Sequence, residues 1–276
     1  MTAGYDPLAA VQAAGPPGTI SFVYGLPDPE LFPVVDLGRA LETVLQQRPE
    51  LALQYGPEQG YGPLIDYLRA KLARDEGLSL ERPQIMLAGG SSQALDHVCT
   101  LFTRPGDIVF VEAPTYHESL RLLWDHGLRT VQVATDEGGL RVEALEARLR
   151  DLAQGMASGR PPTARIRMLY SIPNFQNPSG ITLAAERRPR VLELAEAYGF
   201  FVVEDDVYRD LVYGGEVPSS LFALDSGASR SGLGRHVLRI GSFSKILAPG
   251  LRLGWLLGPE DKIEGLLNSG LRSMGG

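Results

Sequence analysis

Short apolar runs alternate with amphipathic segments along most of this chain, and that alternation does most to narrow the folds open to it. The runs Ile85–Ala88, Ile108–Val111, Thr130–Ala134, Ile166–Tyr170, Phe200–Val203, Val237–Ile240 and Leu253–Leu257 read as strands. Helical periodicity fills Gln93–Phe102, Glu118–Asp125, Val142–Leu152 and Ala184–Tyr198 between them. Pro189 falls inside the last of these and is expected to kink that helix or delay its start. The pattern predicts an α/β fold of three layers with a mostly parallel central sheet. Upstream, a helix is expected over Val35–Gln47, ending before Pro49, and another over Pro63–Glu76 with proline at its first position. Tyr55–Gly62 and the Gly/Pro-rich Gln154–Thr163 read as loops, and residues 1–18, rich in Ala, Gly and Pro, as a flexible arm.

In open α/β sheets ligands bind beyond the carboxyl ends of the strands. Five features of this sequence fall there. Ala88-Gly89-Gly90-Ser91-Ser92-Gln93 joins a strand to a helix. Its glycines allow close approach, and serine hydroxyls with free N–H groups at a helix start can bind a phosphate. A plain helix cap is the competing reading. Glu112-Ala113-Pro114-Thr115-Tyr116 places an aromatic ring where it can stack on a flat heterocycle or simply cap the core. Pro173 to Gly180 carries Asn177-Pro178-Ser179-Gly180, which is turn chemistry or an amide aimed at a ring oxygen. Val203-Glu204-Asp205-Asp206-Val207-Tyr208 concentrates acid at the sheet edge. One carboxylate there can hold a ring nitrogen protonated, with Tyr208 donating to a phenolate oxygen; a solvated strand end is the alternative. No histidine clusters with these acids, so no metal site is expected.

The fifth feature is Lys245. Of 26 basic residues only Lys71, Lys245 and Lys262 are lysines. Lys245 sits in Gly241-Ser242-Phe243-Ser244-Lys245-Ile246-Leu247-Ala248-Pro249-Gly250, with no other charge nearby. A guanidinium cannot replace it as a nucleophilic amine. A lysine in an apolar pocket can shed its proton and form a Schiff base with an aldehyde. Arg252 follows seven residues on, as a bidentate phosphate ligand or a surface ion-pair partner. A phosphate cup, a stacking aromatic, a ring-oxygen amide, a ring-nitrogen acid and a reactive lysine are together the parts that pyridoxal 5′-phosphate needs.

Composition sets the outer limits. The chain has 276 residues, a net charge of −7 and 44% hydrophobic content, which suits a globular protein of one large or two smaller domains. Acidic balance and scattered arginines argue against nucleic acid as a partner. No apolar run reaches membrane-spanning length, and the N-terminus lacks a signal-peptide pattern. The single cysteine, Cys99, fits a reducing compartment, so a cytoplasmic location is expected. The Gly fingerprint of dinucleotide-binding folds is absent.

From about Ser21 to its end the chain resembles the fold-type I pyridoxal-phosphate aminotransferases of class I/II, in the aminoadipate and kynurenine transaminase-like subgroup. Asn-Pro-Ser-Gly, Asp-x-x-Tyr and Ser-x-Ser-Lys followed by Pro-Gly-Leu-Arg-Leu-Gly-Trp carry the resemblance. It implies transamination between an L-amino acid and a 2-oxo acid through a Schiff base on Lys245. By the same resemblance Asp205 pairs with the pyridine nitrogen, Tyr208 and Asn177 flank the ring hydroxyl, and Tyr116 stacks on the ring. Ser91, Ser92, Ser242 and Arg252 hold the phosphate. Tyr55 resembles the tyrosine that reaches the neighbouring subunit's phosphate in a homodimer, and Gly25 the segment that closes over substrate. Residues 19–60 are then an N-terminal segment with dimer and substrate-side contacts, and 61–276 a cofactor-binding large domain. Relatives continue into a small C-terminal domain with a carboxylate-binding arginine, so the chain reads as C-terminally truncated. The alternatives are a PLP-dependent lyase, or the non-catalytic effector domain of a transcription regulator.

Overall fold

The computed structural model describes residues 25, 27–157, 165–228 and 235–269. The arm expected over 1–18, the end of the expected 154–163 loop and residues 270–276 lie outside these. Among the described residues eight strands form one sheet: β1 (Ile85–Ala88), β2 (Ile108–Ala113), β3 (Arg129–Asp136), β4 (Gly139–Leu140), β5 (Ile166–Ser171), β6 (Phe201–Asp205), β7 (Val237–Ser242) and β8 (Gly254–Leu257). Their order is β1-β8-β7-β6-β5-β2-β3-β4. The central run β7-β6-β5-β2-β3 is parallel, while β1, β8 and β4 join antiparallel at the flanks.

Strand burial alternates cleanly between two cores. Phe110, Leu169, Val202, Val237 and Leu257 pack on one face, where α3 (Gly62–Glu76), α6 (Val142–Ala157), α7 (Arg188–Tyr198) and α8 (Leu221–Ala228) cover them. Val109, Val111, Met168, Tyr170, Val203 and Ile240 pack on the other, under α4 (Ser91–Phe102), α5 (His117–Asp125) and α9 (Glu260–Leu267). A sheet covered on both faces needs strands that are apolar at nearly every position, which is why these runs lack polar alternation. The expected three-layer α/β fold is the one observed.

The differences from the sequence reading are local. Beyond α1 (Val34–Gln47) a further helix, α2 (Pro49–Leu53), starts at the proline expected only to terminate α1, because proline suits a first helical position. Pro189 delays rather than kinks: a 3-10 turn, Ala185–Arg187, precedes α7, and the proline occupies its first turn. Strands β2, β5, β6 and β7 extend beyond the expected ends because ladder pairing, not apolarity, sets where they stop. β4, α8 and α9 have no counterpart among the expected elements. Leu221 and Phe222 start α8 on a buried cap: both their N–H groups donate to the Glu204 carboxylate, at 2.8 and 2.9 Å.

Candidate active site

The parallel strands direct their carboxyl ends to one edge. Register carries that edge across the antiparallel flank, since Ser242 pairs with Gly254 and Gly254 with Ala88. The Gly89-Gly90 turn, Ser242 and the Arg252 turn are therefore neighbours, although about 160 residues of chain separate the first from the last. Arg252 adopts φ +50° and ψ +49°, a left-handed conformation that costs a non-glycine residue about 1–2 kcal/mol. Its Nη2 donates to the Gly89 carbonyl at 3.2 Å and its Nη1 to Pro249 at 3.1 Å. Gly90, at φ +97°, lets the guanidinium lie across the turn, for a Cβ there would stand 2.5 Å from Nη2. Among the described residues Arg252 makes no ion pair.

Ser91 and Ser92 lie inside the first turn of α4, one step further on than a cap. Gly90 is the cap, and it supplies no side-chain acceptor. Helices leave their first N–H groups without intrahelical partners, and the start of α4 directly follows the Gly89-Gly90 turn that the Arg252 guanidinium lies against. Ser242 ends β7 and is buried; its Oγ accepts from the Ser244 N–H at 3.0 Å, shaping the turn that leads to Lys245.

Asp205 is the last residue of β6 and not, as expected, a residue beyond the strand. It is buried, and Oδ2 accepts a 2.6 Å hydrogen bond from the Tyr170 hydroxyl. Oδ1 is buried with no partner. An unsatisfied buried oxygen of this kind costs about 1–3 kcal/mol. Burial, augmented by the neighbouring Asp206, pushes the carboxyl up to about 6 despite the Tyr170 bond. Tyr208 is half-buried, and its oxygen accepts from Asn177 Nδ2 at 3.2 Å. Its own hydroxyl proton is not committed by that bond. Lys245 Nζ stands 5.7 Å from the centre of the Tyr208 ring. Burial lowers the Lys245 amine, and the Asp205 carboxylate opposes that shift. Among the described residues Lys245 has no hydrogen bond or ion pair. Lys71, by contrast, is held by Asp210 at 2.8 Å and Asp75 at 3.0 Å. Tyr116 caps α5, packs its half-buried ring on the core beneath that helix, and meets His117 edge-on. Burial raises its hydroxyl, with a smaller contribution from Asp205.

Nine expected site residues thus gather at one edge: Lys245, Asp205, Tyr208, Asn177, Tyr116, Ser91, Ser92, Ser242 and Arg252. Two do not join them within this chain. The Tyr55 side chain is 89% exposed. Gly25 is exposed, with nothing within 4 Å of where a Cβ would be.

Sequence reasoning missed the supports beneath the site. Ser119 and Tyr170 hydrogen-bond at 2.8 Å behind Asp205. Gln176 holds the Asn177 turn, donating to the Pro114 carbonyl at 2.7 Å and accepting from the Ser179 N–H at 2.9 Å. Buried Glu112 accepts from Ser171 at 2.5 Å and Ile172 N–H at 3.2 Å, and burial pushes it up to about 7. Glu112 and Ser171 share the sheet face of Phe110 and Leu169, away from Asp205; on that face too, Asp206 lies 3.0 Å from Arg239, and Arg239 bonds Glu76 at 2.8 Å. The faint signal for these was polar residues embedded in apolar runs; which strand each would face is set only by strand order.

The family model for aminotransferase class I and II matches residues 34–274. The chain belongs to that family. It is 40% identical to aromatic-amino-acid aminotransferase 1 of Thermococcus litoralis over 86% of its own length and 54% of that protein's. Among solved structures, a kynurenine aminotransferase of Pyrococcus horikoshii in complex with PMP superposes with a TM-score of 0.81 at 37% identity, covering 94% of this chain and 60% of that one. The α-aminoadipate aminotransferase LysN of Thermus thermophilus, complexed with N-(5′-phosphopyridoxyl)-L-leucine, superposes with 0.78 at 35% identity, covering 91% and 59%. The chain thus spans little more than half the length of these relatives.

The residues present fit the family's cofactor, pyridoxal 5′-phosphate. Orphaned Asp205 Oδ1 suits a protonated ring nitrogen. Unpaired Lys245 suits an aldehyde, and the Gly89-Gly90 turn, the start of α4 and Arg252 suit a phosphate.

Proposed function

We propose that this chain moves an amino group from an L-amino acid to a 2-oxo acid, with Lys245 as the reacting amine. The observation that carries the reading is the pairing of opposites: an amine with no hydrogen bond or ion pair among the described residues, and near it a buried carboxylate oxygen with no hydrogen bond. When bound, pyridoxal 5′-phosphate would supply a reactive carbonyl and an electron-accepting ring. Asp205 Oδ1 would take the ring N–H and keep that nitrogen charged. Tyr208, its oxygen already supplied by Asn177, would donate its own proton to the ring hydroxyl oxygen. Tyr116 would cover the ring, while Ser91, Ser92, Ser242 and Arg252 fix the phosphate. Lys245, lowered by burial, would remove the Cα proton of the amino acid and deliver it to the carrier carbon.

Aromatic amino acids and kynurenine, named in two of the relatives, are the first donors to try. We further propose a homodimer in which residues 19–60 form dimer and substrate-side contacts. The exposure of Leu31, Val34, Val35 and Tyr55 supports this. Residues 61–276 form the cofactor-binding domain in this reading, and the single, buried Cys99 supports a cytoplasmic setting.

The test is product analysis with an isotopically labelled amino donor and a 2-oxo acid. Transfer of label to the new amino acid, one for one and without free ammonia, is the expected result. Ammonia release without transfer would make the chain a lyase.

A further inference from the structure

The hydroxyl of Tyr170 is out of character with its surroundings. Tyr170 is 0% exposed in a core of Val111, Met168, Val203 and Ile240. A buried hydroxyl in such a place needs partners or it destabilises the fold by about 1–3 kcal/mol. Tyr170 has two: Asp205 Oδ2 at 2.6 Å and Ser119 Oγ at 2.8 Å. A phenol has one proton. Given to the Asp205 carboxylate, it leaves Ser119 as donor to the tyrosine oxygen, so the direction of the chain is Ser119 to Tyr170 to Asp205.

Three elements meet in that chain. Tyr170 lies in β5, opposite Val203 of β6, and leans toward Asp205 two residues further along the same face. Ser119 sits in the first turn of α5, the helix capped by Tyr116. The residue expected to cover the ring and the residue that steadies Tyr170 thus belong to the same helix start. We propose that Tyr170 is a positioning residue of the cofactor site: with Ser119 behind it, its hydroxyl occupies Oδ2 of Asp205 and leaves Oδ1 as the oxygen offered to the ring nitrogen. This rests on the reading of Asp205 given above. The other ionisable groups facing Asp205 are Asp206, which raises it, and Lys245, which lowers it. Glu112, Tyr116 and Tyr208 also feel its charge or act on it.

The test uses the chain loaded with pyridoxal 5′-phosphate, as Tyr170→Phe and Ser119→Ala, each alone and combined with Asp205→Asn. Borohydride trapping on Lys245 reports loading. The pH midpoint of the bound cofactor's visible absorption reports the proton on its imine with Lys245, which is held low by charge on the ring nitrogen and rises as that charge is lost. Tyr170→Phe is expected to load and to raise the midpoint by about half a unit or more, because Asp205 loses a hydrogen bond that favours its charged form. Ser119→Ala should shift it the same way by less. In the Asp205→Asn background neither change should move it, since the effect runs through the carboxylate. An equal shift in both backgrounds would reduce Tyr170 to a packing residue, and a midpoint unmoved by about 0.1 unit in a loaded variant would overturn the proposal. If Tyr170→Phe does not load, Ser119→Ala decides alone, on the same two outcomes. If the unmodified chain does not load, the cofactor reading falls and takes this proposal with it.

Discussion

Glu204 and Asp205 are consecutive residues of β6, both buried, on opposite faces of the sheet. Glu204 is met by two backbone N–H groups of α8, and next to it Asp206 is met by Arg239 and Asn174. Arg239 and Arg209 in turn reach Glu76, so the charges on that face pair among themselves, with Asp206 Oδ2 and Arg209 Nη1 met by ion pairs although neither has a hydrogen bond. On the other face Asp205 keeps one oxygen open, and its charge acts on Lys245, whose amine has no hydrogen bond or ion pair among the described residues. Buried polar groups are ordinarily paired, and the exceptions ask for an explanation. Of three adjacent acids, Glu204 and Asp206 are engaged by groups that hold the fold, while Asp205 keeps an oxygen open, which is what suits it to the ligand role proposed for it.

Substitutions on the two faces should therefore fail differently. Lys245→Ala is expected to reduce transamination by more than roughly 10⁴-fold while the urea midpoint stays near that of the unmodified chain. Near-normal turnover would remove Lys245 from the chemistry. Arg239→Leu should do the reverse in kind. It leaves Arg209 as the one remaining cation that Asp206 and Glu76 share among the described residues, which costs about 3–5 kcal/mol of stability, seen as an early urea transition. An unchanged transition would show that the network on that face is dispensable. Asp205→Ala is expected to lower the rate by roughly 10²- to 10³-fold with a smaller loss of cofactor affinity. A loss in affinity alone would mean that Asp205 binds the ring without tuning it.

Glu112 sharpens the comparison because it is paired and still strained. Its carboxyl is pushed up from 4.5 to about 7, first by burial, against hydrogen bonds from Ser171, Ile172 and Gln176. The unfolded chain loses that proton near 4.5 and the folded chain near 7. Between those values the folded state holds more protons, so stability falls as pH rises through the window. Asp205 and Glu204, raised to about 6 and about 7, act in the same direction. Glu112→Gln should flatten the decline between about pH 4.5 and 7.5 by on the order of 1–3 kcal/mol, read from urea melts at the two ends. An equally steep decline would mean that Glu112 ionises freely in the folded protein.

Much of the layout was legible in advance, for a definite reason. Strand positions are set by apolar runs, and candidate ligand residues lie at or just after strand ends, so Asp205, Tyr208, Asn177 and Lys245 stand out in one dimension. The supports do not. Tyr170 reads as one more residue of an apolar strand, and its task depends on β5 lying beside β6, which no local pattern encodes. The Arg239–Glu76 pair joins residues 163 apart. Glu204 was visible as an acid, but its work at the start of α8 could not be read: the local cap is Ser220, whose Oγ accepts from the Ala223 N–H at 3.1 Å, and Glu204 adds to it from a separate strand. Tyr55 and Gly25 were legible only through resemblance, and among the described residues the Tyr55 ring is exposed and nothing stands within 4 Å of where a Gly25 Cβ would be.

The central claim is that the open face of β6 carries the chemistry through Lys245, and it can be tested in one step. The purified chain is incubated with pyridoxal 5′-phosphate, reduced with borohydride, digested and mapped by mass. A pyridoxyl group confined to the peptide bearing Lys245, absent from those bearing Lys71 and Lys262, is the predicted result. A folded chain with no adduct, or with label spread over all three lysines, would contradict the account.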